Sequence, residues 1–249
     1  MNIKISIVTP TYNSAKTIDK TLNSIIYQDY HPYELIIIDN KSSDDTLNII
    51  KSYEKLFADN NIKILLLSEP DSGIYNAMNK GIIASTGDYI SILNSDDYYS
   101  NNTISKVISA ISIKKCDIYY GDIIMHDFLE YKIFAPKINA KKYELDMFQP
   151  AMFVSRDFYK LIGLYDENFK LSSDYDWVIR ANLANASKYK INSVLTYYYM
   201  YGNSFRNRFN GIKENFLIRF RNKISVINNL KMTIKEFINF ILTFKNYKR

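Results

Sequence analysis

Through its first hundred residues the chain alternates apolar runs with segments of helical period. Residues 3–10, IKISIVTP, predict a buried strand. From Ser14 to Gln28, residues Ala15, Ile18, Leu22, Ile25 and Ile26 recur at the spacing of one helix face. The apolar run Glu34–Asp39, ELIIID, predicts a second strand that ends in a carboxylate. Ser42 or Ser43 can cap a helix running to Phe57. Asp44 and Asp45 would then lie in its first turn, where negative charge suits the helix dipole. Lys63–Leu67 reads as a third strand, Ser72–Ala84 as a helix and Tyr89–Leu93 as a fourth strand. This alternation predicts a mostly parallel central sheet flanked by helices. The runs IIII and ILLL, apolar at every position, fit strands buried on both faces of such a sheet.

After Asn101 the periodicity loosens. Ile104–Ile113 reads as a helix, Asp117–Ile124 as a strand, and residues 125–145 as irregular and polar-aromatic. Gln149–Ser155 is a short strand. Asp174–Asn185 is a helix in which Trp177, Val178 and Ala181 can share a face, and residues 188–201 carry the aromatic run TYYYMY. Ligands of parallel α/β sheets bind at the carboxyl ends of strands, and polar residues gather at those ends here. Thr9 to Asn13 close the first strand, Asp39 and Asn40 the second, Glu69 to Asp71 the third, and Asn94 to Asp97 the fourth.

Composition narrows the options. Seven glycines, with neither a G-x-G-x-x-G nor a G-x-x-x-x-G-K-S/T motif, argue against a glycine-rich phosphate loop. Cys116 is the only cysteine, which excludes a disulfide framework and a cysteine-rich zinc site and fits a reducing compartment. The amino terminus enters an apolar strand without a signal-peptide layout, and no apolar run reaches the ~18 residues of a membrane span. The net charge of +6 is uneven. From Arg206 onward eleven Lys and Arg face only Glu214 and Glu236, so the remainder of the chain is mildly acidic. A basic tail suits an anionic surface, membrane or nucleic acid, or is a solvated helix face.

The adjacent carboxylates Asp96 and Asp97 repel one another unless a cation or solvent intervenes. Oxygen ligands of this kind suit Mg²⁺ or Mn²⁺. Alone, such a pair also reads as a solvated turn.

The segments SIVTPTYNSAKTIDKTLNSIIYQDY, ELIIIDNKSSDDT and EPDSGIYNAMNKGIIASTGDYISILNSDDYY together resemble the family 2 glycosyltransferases of the GT-A fold. The resemblance is close over residues 3–100 and looser to Arg180. It implies an inverting, metal-dependent transfer from a nucleotide-diphosphate sugar, such as a UDP-hexose or UDP-N-acetylhexosamine. The subgroup suggested by DSGIYNAMNKG includes bacterial enzymes of O-antigen, capsule and exopolysaccharide synthesis, whose acceptors are often lipid-linked saccharides. On this resemblance Thr9, Pro10 and Tyr12 form the nucleotide rim, and Asp39 accepts the ring N–H of uracil or thymine. Asp71 supports the nucleotide or the metal region. Lys80 orients that network, meets diphosphate or forms a structural ion pair. The NSDD segment matches the family's D-x-D element with Asn94 in place of the first acid. It makes Asp97 the principal ligand of Mn²⁺ or Mg²⁺ and Asp96 its partner at the ribose or diphosphate. In KLSSDYDWVIR, Asp174 takes the position of the general base, with Asp176 as rival and Trp177 as acceptor platform or core residue. Gln149 stands where many relatives carry a histidine. His126 falls in the variable acceptor-side segment.

The implied layout is a GT-A domain over residues 1–205, with a nucleotide-sugar half (1–100) and an acceptor half (101–205), and a basic helical tail over 206–249. In the tail Ile212, Phe216, Phe220 and Ile227 can share a face. Phe237, Ile238, Phe240, Ile241, Leu242 and Phe244 form a second apolar stretch. Such helices can bind the inner surface of a membrane from the cytoplasm, pack back on the domain, or make a homodimer contact. Two other readings remain. A sugar nucleotidyltransferase would carry a glycine-rich loop where this chain has TPTYNSAKT. A silent scaffold of the same fold has little reason to keep Asp39, Asp97 and Asp174. No nucleic-acid module accompanies the basic tail.

Overall fold

A computed structural model describes residues 3–126, 131–136, 143–199 and 207–246, the last five without side chains. The first half reads β1 (Ile5–Thr11), α1 (Ile18–Ile26), β2 (Glu34–Asp39), α2 (Thr46–Ser52), α3 (Glu54–Asp59), β3 (Lys63–Ser68), α4 (Ile74–Ala84), β4 (Tyr89–Ile92) and β5 (Tyr98–Tyr99). The second half reads α5 (Thr103–Ile113), β6 (Ile118–His126), β7 (Tyr131–Phe134), β8 (Met152–Ser155), α6 (Arg156–Ile162), α7 (Ser173–Leu183) and β9 (Lys188–Tyr199). Two more helices follow, α8 (Arg208–Arg221) and α9 (Val226–Asn246).

Among the described residues nine strands form one sheet in the order β3-β2-β1-β4-β8-β6-β9-β5, with β7 paired to β6. The half expected to be parallel is so, since β1 pairs in parallel with β2 and β4, and β2 with β3. Beyond β4 the sheet is mixed. β8 runs antiparallel to β4 and β6, whereas β6 and β9 are parallel.

Period-2 alternation divides the core. Ile5, Ile7, Leu35 and Ile37 face α1, α3 and α5 through Ile18, Leu22, Phe57 and Val107. Val8, Ile36 and Ile38 face α4 and α7 through Met78, Ile82, Trp177 and Val178. Every residue of β1 and β2 is buried. The ILLL strand departs from expectation: β3 lies at the sheet edge, and Leu65 and Leu67 are exposed. α4 crosses β1 at Gly81, where an added Cβ would stand 2.2 Å from Val8 Cγ1.

Other local expectations are corrected by polar competition. Neither Ser42 nor Ser43 caps the following helix, because both bond to neighbouring rim residues, and Asp45 occupies the N-cap position. Gln149–Ala151 forms a 3₁₀ turn ahead of β8, with Gln149 Nε2 donating to Ile92 O at 2.9 Å. The interval expected to be irregular contributes β7, a hairpin partner of β6. Residues 127–130 and 137–142 of that interval, the end of the aromatic run and the boundary at 200–206 lie outside the described residues.

The tail begins with a docked helix. Ile218 of α8 is fully buried against Tyr175 and Ile179 of α7. The face expected to unite Ile212, Phe216, Phe220 and Ile227 is divided, with Ile212 buried and Phe220 and Ile227 exposed. α9 packs on α8 through Arg219, which is fully buried and reaches Asn229, Thr233 and Glu236.

Candidate active site

Four loops at the carboxyl ends of the parallel strands are laced into one rim. Asn13, at a left-handed φ of 48°, donates its amide to Ser42 Oγ (2.8 Å) and accepts from Ser43 N (2.9 Å). Asn40 Oδ1 accepts from Asp71 N at 2.9 Å, which joins the loop after β2 to the loop after β3. Ser14 and Ser95 hydroxyls meet at 2.7 Å and tie in the loop after β4. This rim opens on a cavity of about 870 Å³. Five of the expected residues line it: Pro10, Tyr12, Asp71, Asp96 and Asp174.

The acidic turn lies on one wall. Asp96 lines the cavity, and Asp97 sits behind it with no exposed surface. Asp97 Oδ1 accepts from Tyr199 N (2.9 Å) and Oδ2 from Asn94 Nδ2 (3.1 Å), while its carbonyl accepts from Thr21 Oγ1 (2.7 Å). Burial, and then the charge of Asp96, push the Asp97 carboxyl well above its ordinary range, and burial also raises Asp96. Asn94 Oδ1 is buried without a hydrogen-bond partner. A fully buried acid and a half-buried one of like charge, beside an orphaned amide oxygen, are a hard-oxygen donor set that fits Mg²⁺ or Mn²⁺. Among the described residues no cluster of three or more His, Cys, Asp or Glu could hold a metal ion. A bound cation would therefore take part of its shell from diphosphate and water.

On another wall Asp174, in the first turn of α7, accepts a hydrogen bond from Tyr75 Oη at 3.0 Å. Burial raises the Asp174 carboxyl, opposed by the Tyr75 bond and by backbone amides. Tyr75 is held well above its usual value by burial and by Asp174. The rival Asp176 is fully buried and does not line the cavity. Its oxygens are taken by Arg180 Nε (2.9 Å) and an Arg221 guanidinium nitrogen (2.5 Å). Trp177 is likewise core, with Nε1 donating to Gly163 O at 3.0 Å.

Three other expected residues are held away from the cavity. Thr9 is buried within β1. Asp39 is fully buried, accepting from Ser42 Oγ (2.5 Å), Ser42 N (3.0 Å) and Ser68 Oγ (2.6 Å). In this geometry a nucleobase reaches Asp39 only if that turn opens. Lys80 pairs with Glu69 at 2.7 Å and donates to Pro70 O at 3.0 Å, so it braces the loop that carries Asp71.

Sequence reasoning missed Tyr75, Lys16, Lys170, Tyr198 and Tyr199, which line the cavity. The aromatic run was visible, but its strand phase was not. His126 is buried among the rings of Tyr98, Tyr131 and Tyr199.

The comparisons with known proteins agree with this geometry. The family model "Glycosyl transferase family 2" matches residues 6–168. A PGL/p-HBAD biosynthesis glycosyltransferase of Mycobacterium bovis is 30% identical over 189 residues, 74% of this chain and 72% of that protein. The putative teichuronic acid biosynthesis glycosyltransferase TuaG of Bacillus subtilis is 33% identical over 112 residues, 45% of this chain and 43% of that one. The crystal structure of Staphylococcus aureus TarS 1–349 in complex with UDP-GlcNAc aligns with a TM-score of 0.67 at 20% identity, covering 97% of this chain and 73% of that one. The chain thus belongs to the family 2 glycosyltransferases and has their GT-A fold.

Proposed function

We propose that this protein transfers a hexosyl or N-acetylhexosaminyl group from a UDP-linked donor, with inversion, to a hydroxyl of a saccharide acceptor. The observation that carries the reading is one cavity bordered by a buried acidic turn, Asp96–Asp97, and by a raised carboxylate, Asp174. The donor assignment is supported by a TarS structure described as a UDP-GlcNAc complex. Relatives named for PGL/p-HBAD, teichuronic acid and poly(ribitol-phosphate) support a role in building a bacterial surface glycan; a lipid-linked acceptor, as in O-antigen, capsule or exopolysaccharide synthesis, completes the reading.

The division of labour follows from the walls. Pro10, Tyr12 and Asp71 receive the nucleoside, with Asp39 and Lys80 bracing the loops beneath. Asp96 and Asp97 would hold Mn²⁺ or Mg²⁺, whose chemistry is to neutralise the charge developing on the departing diphosphate. Asp174 accepts the proton of the attacking hydroxyl. Its raised pKa makes it a stronger base than an exposed carboxylate, and Tyr75 fixes its orientation. A glycine-rich triphosphate loop is missing from the β1 rim, which disfavours nucleotidyl transfer.

The test is a donor screen read by mass spectrometry, with Mn²⁺ and with excess EDTA. Release of UDP with glycosylated product, abolished by EDTA, is the expected result. Full transfer in EDTA would remove the metal from the reading. A preference for a guanosine or thymidine donor would remove the uridine assignment.

Membrane attachment rests on α9. Among the described residues no helix is long and apolar enough to cross a membrane. Yet Ile227, Leu230, Ile234, Ile238 and Ile241 are exposed at i, i+3 and i+4 spacing beside Lys231 and Lys235. This face fits peripheral binding from the cytoplasm to the inner membrane surface.

A further inference from the structure

The loop that leads into Asp174 is held from outside the family-matched region. Glu214, on α8, accepts three successive backbone amides: Lys170 N at 3.0 Å, Leu171 N at 2.9 Å and Ser172 N at 2.9 Å. Ser172 occupies the N-cap position of α7 yet makes no side-chain cap to its own helix. Its hydroxyl is directed at Gly211 O of α8, at 3.4 Å. Of the amides at the start of α7, Glu214 thus takes that of the N-cap residue Ser172, and it sets a carboxylate near the positive end of the helix dipole. Seven residues further along α8, Arg221 spans Asp166 (2.5 Å) and Asp176 (2.5 Å). The same loop is tied to α4 by Glu167, which accepts from Asn76 and Asn79 at 2.9 Å each. Between these anchors stand two cavity-lining groups, Lys170 and Asp174.

We propose that Glu214 is a positioning residue for the transfer: its carboxylate fixes the loop at residues 170–172 and so sets where Asp174 meets the acceptor hydroxyl. This rests on the reading of Asp174 as general base. The basic tail thereby has a catalytic duty in its first helix, separate from whatever its last helix contacts. A merely structural brace would alter stability alone. A positioning residue alters turnover more than donor affinity, because displacement of a base by about 1 Å costs up to about 100-fold in rate. It also leaves an electrostatic mark. Asp174 faces Tyr75, Tyr165, Tyr198, Lys170 and Glu214, and the Glu214 charge helps to raise it. Removing that charge lowers the pKa of the base.

The experiment uses the full chain, with Glu214→Gln, Glu214→Asp and Asp174→Asn compared in kcat, donor KM, pH profile, melting temperature and amide exchange over residues 166–176. Glu214→Gln keeps the shape but offers only one accepting oxygen. The expected result is a kcat about 10- to 100-fold lower with donor KM within about two-fold. Faster exchange at 170–172 and an acid limb shifted to lower pH should accompany it. Glu214→Asp keeps the charge, so its acid limb stays in place while kcat falls. It carries the test if the glutamine variant fails to fold. Unchanged kcat in Glu214→Gln, or a lower melting temperature with kcat per folded molecule and acid limb unmoved, would overturn the proposal. If Asp174→Asn abolishes turnover and Glu214→Gln leaves kcat unchanged, only the positioning role falls. If Asp174→Asn keeps full turnover, the base reading falls first.

Discussion

Asp174 and Asp176 differ by two positions, and the helix gives them different neighbours. At 3.6 residues per turn two steps rotate a side chain by about 200°, so one acid meets the cavity and Tyr75 while the other enters the Arg180–Arg221 pair. The sequence supplied both candidates, but choosing between them required knowing which face of α7 the sheet covers. Asp174→Asn is expected to lower kcat by about 10²- to 10⁴-fold with donor KM nearly unchanged, measured by steady-state kinetics. Asp176→Ala should instead lower the melting temperature, at a cost of about 1–3 kcal/mol, because two guanidinium groups lose a buried partner. Solvent at the half-exposed Arg221 limits that cost. Equal stability of Asp176→Ala and wild type would contradict this assignment. The raised pKa of Asp174 also sets a pH dependence. The base works ionised, so kcat should fall as pH drops through a value above that of an ordinary aspartate. An acid limb at or below that ordinary value would mean that another group carries the proton. For Asp39 and Lys80 the residue types were legible and their occupations were not, since Ser42, Ser68 and Glu69 meet them only after folding.

Elements were legible where one periodicity dominates. β1, β2, α4 and α5 lie within a few residues of their expected spans, because their apolar positions repeat cleanly at two or at three to four. The sheet order was not legible. It places the apolar ILLL run at an edge and inserts the antiparallel β8 beside β4, a non-local pairing that local pattern cannot encode. Gly81 shows the same limit. In sequence it is a weak spot in a helix. In the fold it lets α4 approach β1 so closely that an added Cβ would stand 2.2 Å from Val8 Cγ1. Val8 is buried and β-branched and has little freedom to turn aside. Gly81→Ala gains helix propensity of about 1 kcal/mol, but the overlap costs about 1–3 kcal/mol. The expected net result is a less stable protein. Because α4 also carries Tyr75, weaker catalysis should accompany it. Thermal denaturation together with kcat checks both, and a stabilised variant would show that the helix shifts without strain.

At the scale of the molecule, the basic tail divides into two helices with different occupations. α8 is committed to the domain through Ile218, Glu214 and Arg221, and α9 to α8 through Arg219. Arg219 and Arg221 are thus consumed by internal pairs, and the exposed charge near α9 is carried by Lys213, Lys223, Lys231 and Lys235. Composition revealed the charge excess but not this partition, which depends on which arginines find buried acids. Basic residues at an anionic bilayer contribute about 1 kcal/mol each, and the exposed face from Ile227 to Ile241 adds apolar burial. Deleting α9 is a poor test of attachment, because it strips Asn229, Thr233 and Glu236 from the buried Arg219 and so weakens α8 as well. Replacing Ile227, Leu230, Ile234 and Ile238 together by Gln changes only exposed positions and leaves the Arg219 network in place. Wild-type protein should co-sediment with vesicles increasingly as their anionic lipid content rises, and decreasingly as salt rises. The fourfold variant should stay in the supernatant, with its melting temperature and its turnover on a soluble acceptor retained. If variant and wild type sediment equally, the apolar face does not meet lipid. A concentration-dependent dimer lost in the variant would then assign that face to a second copy of the chain.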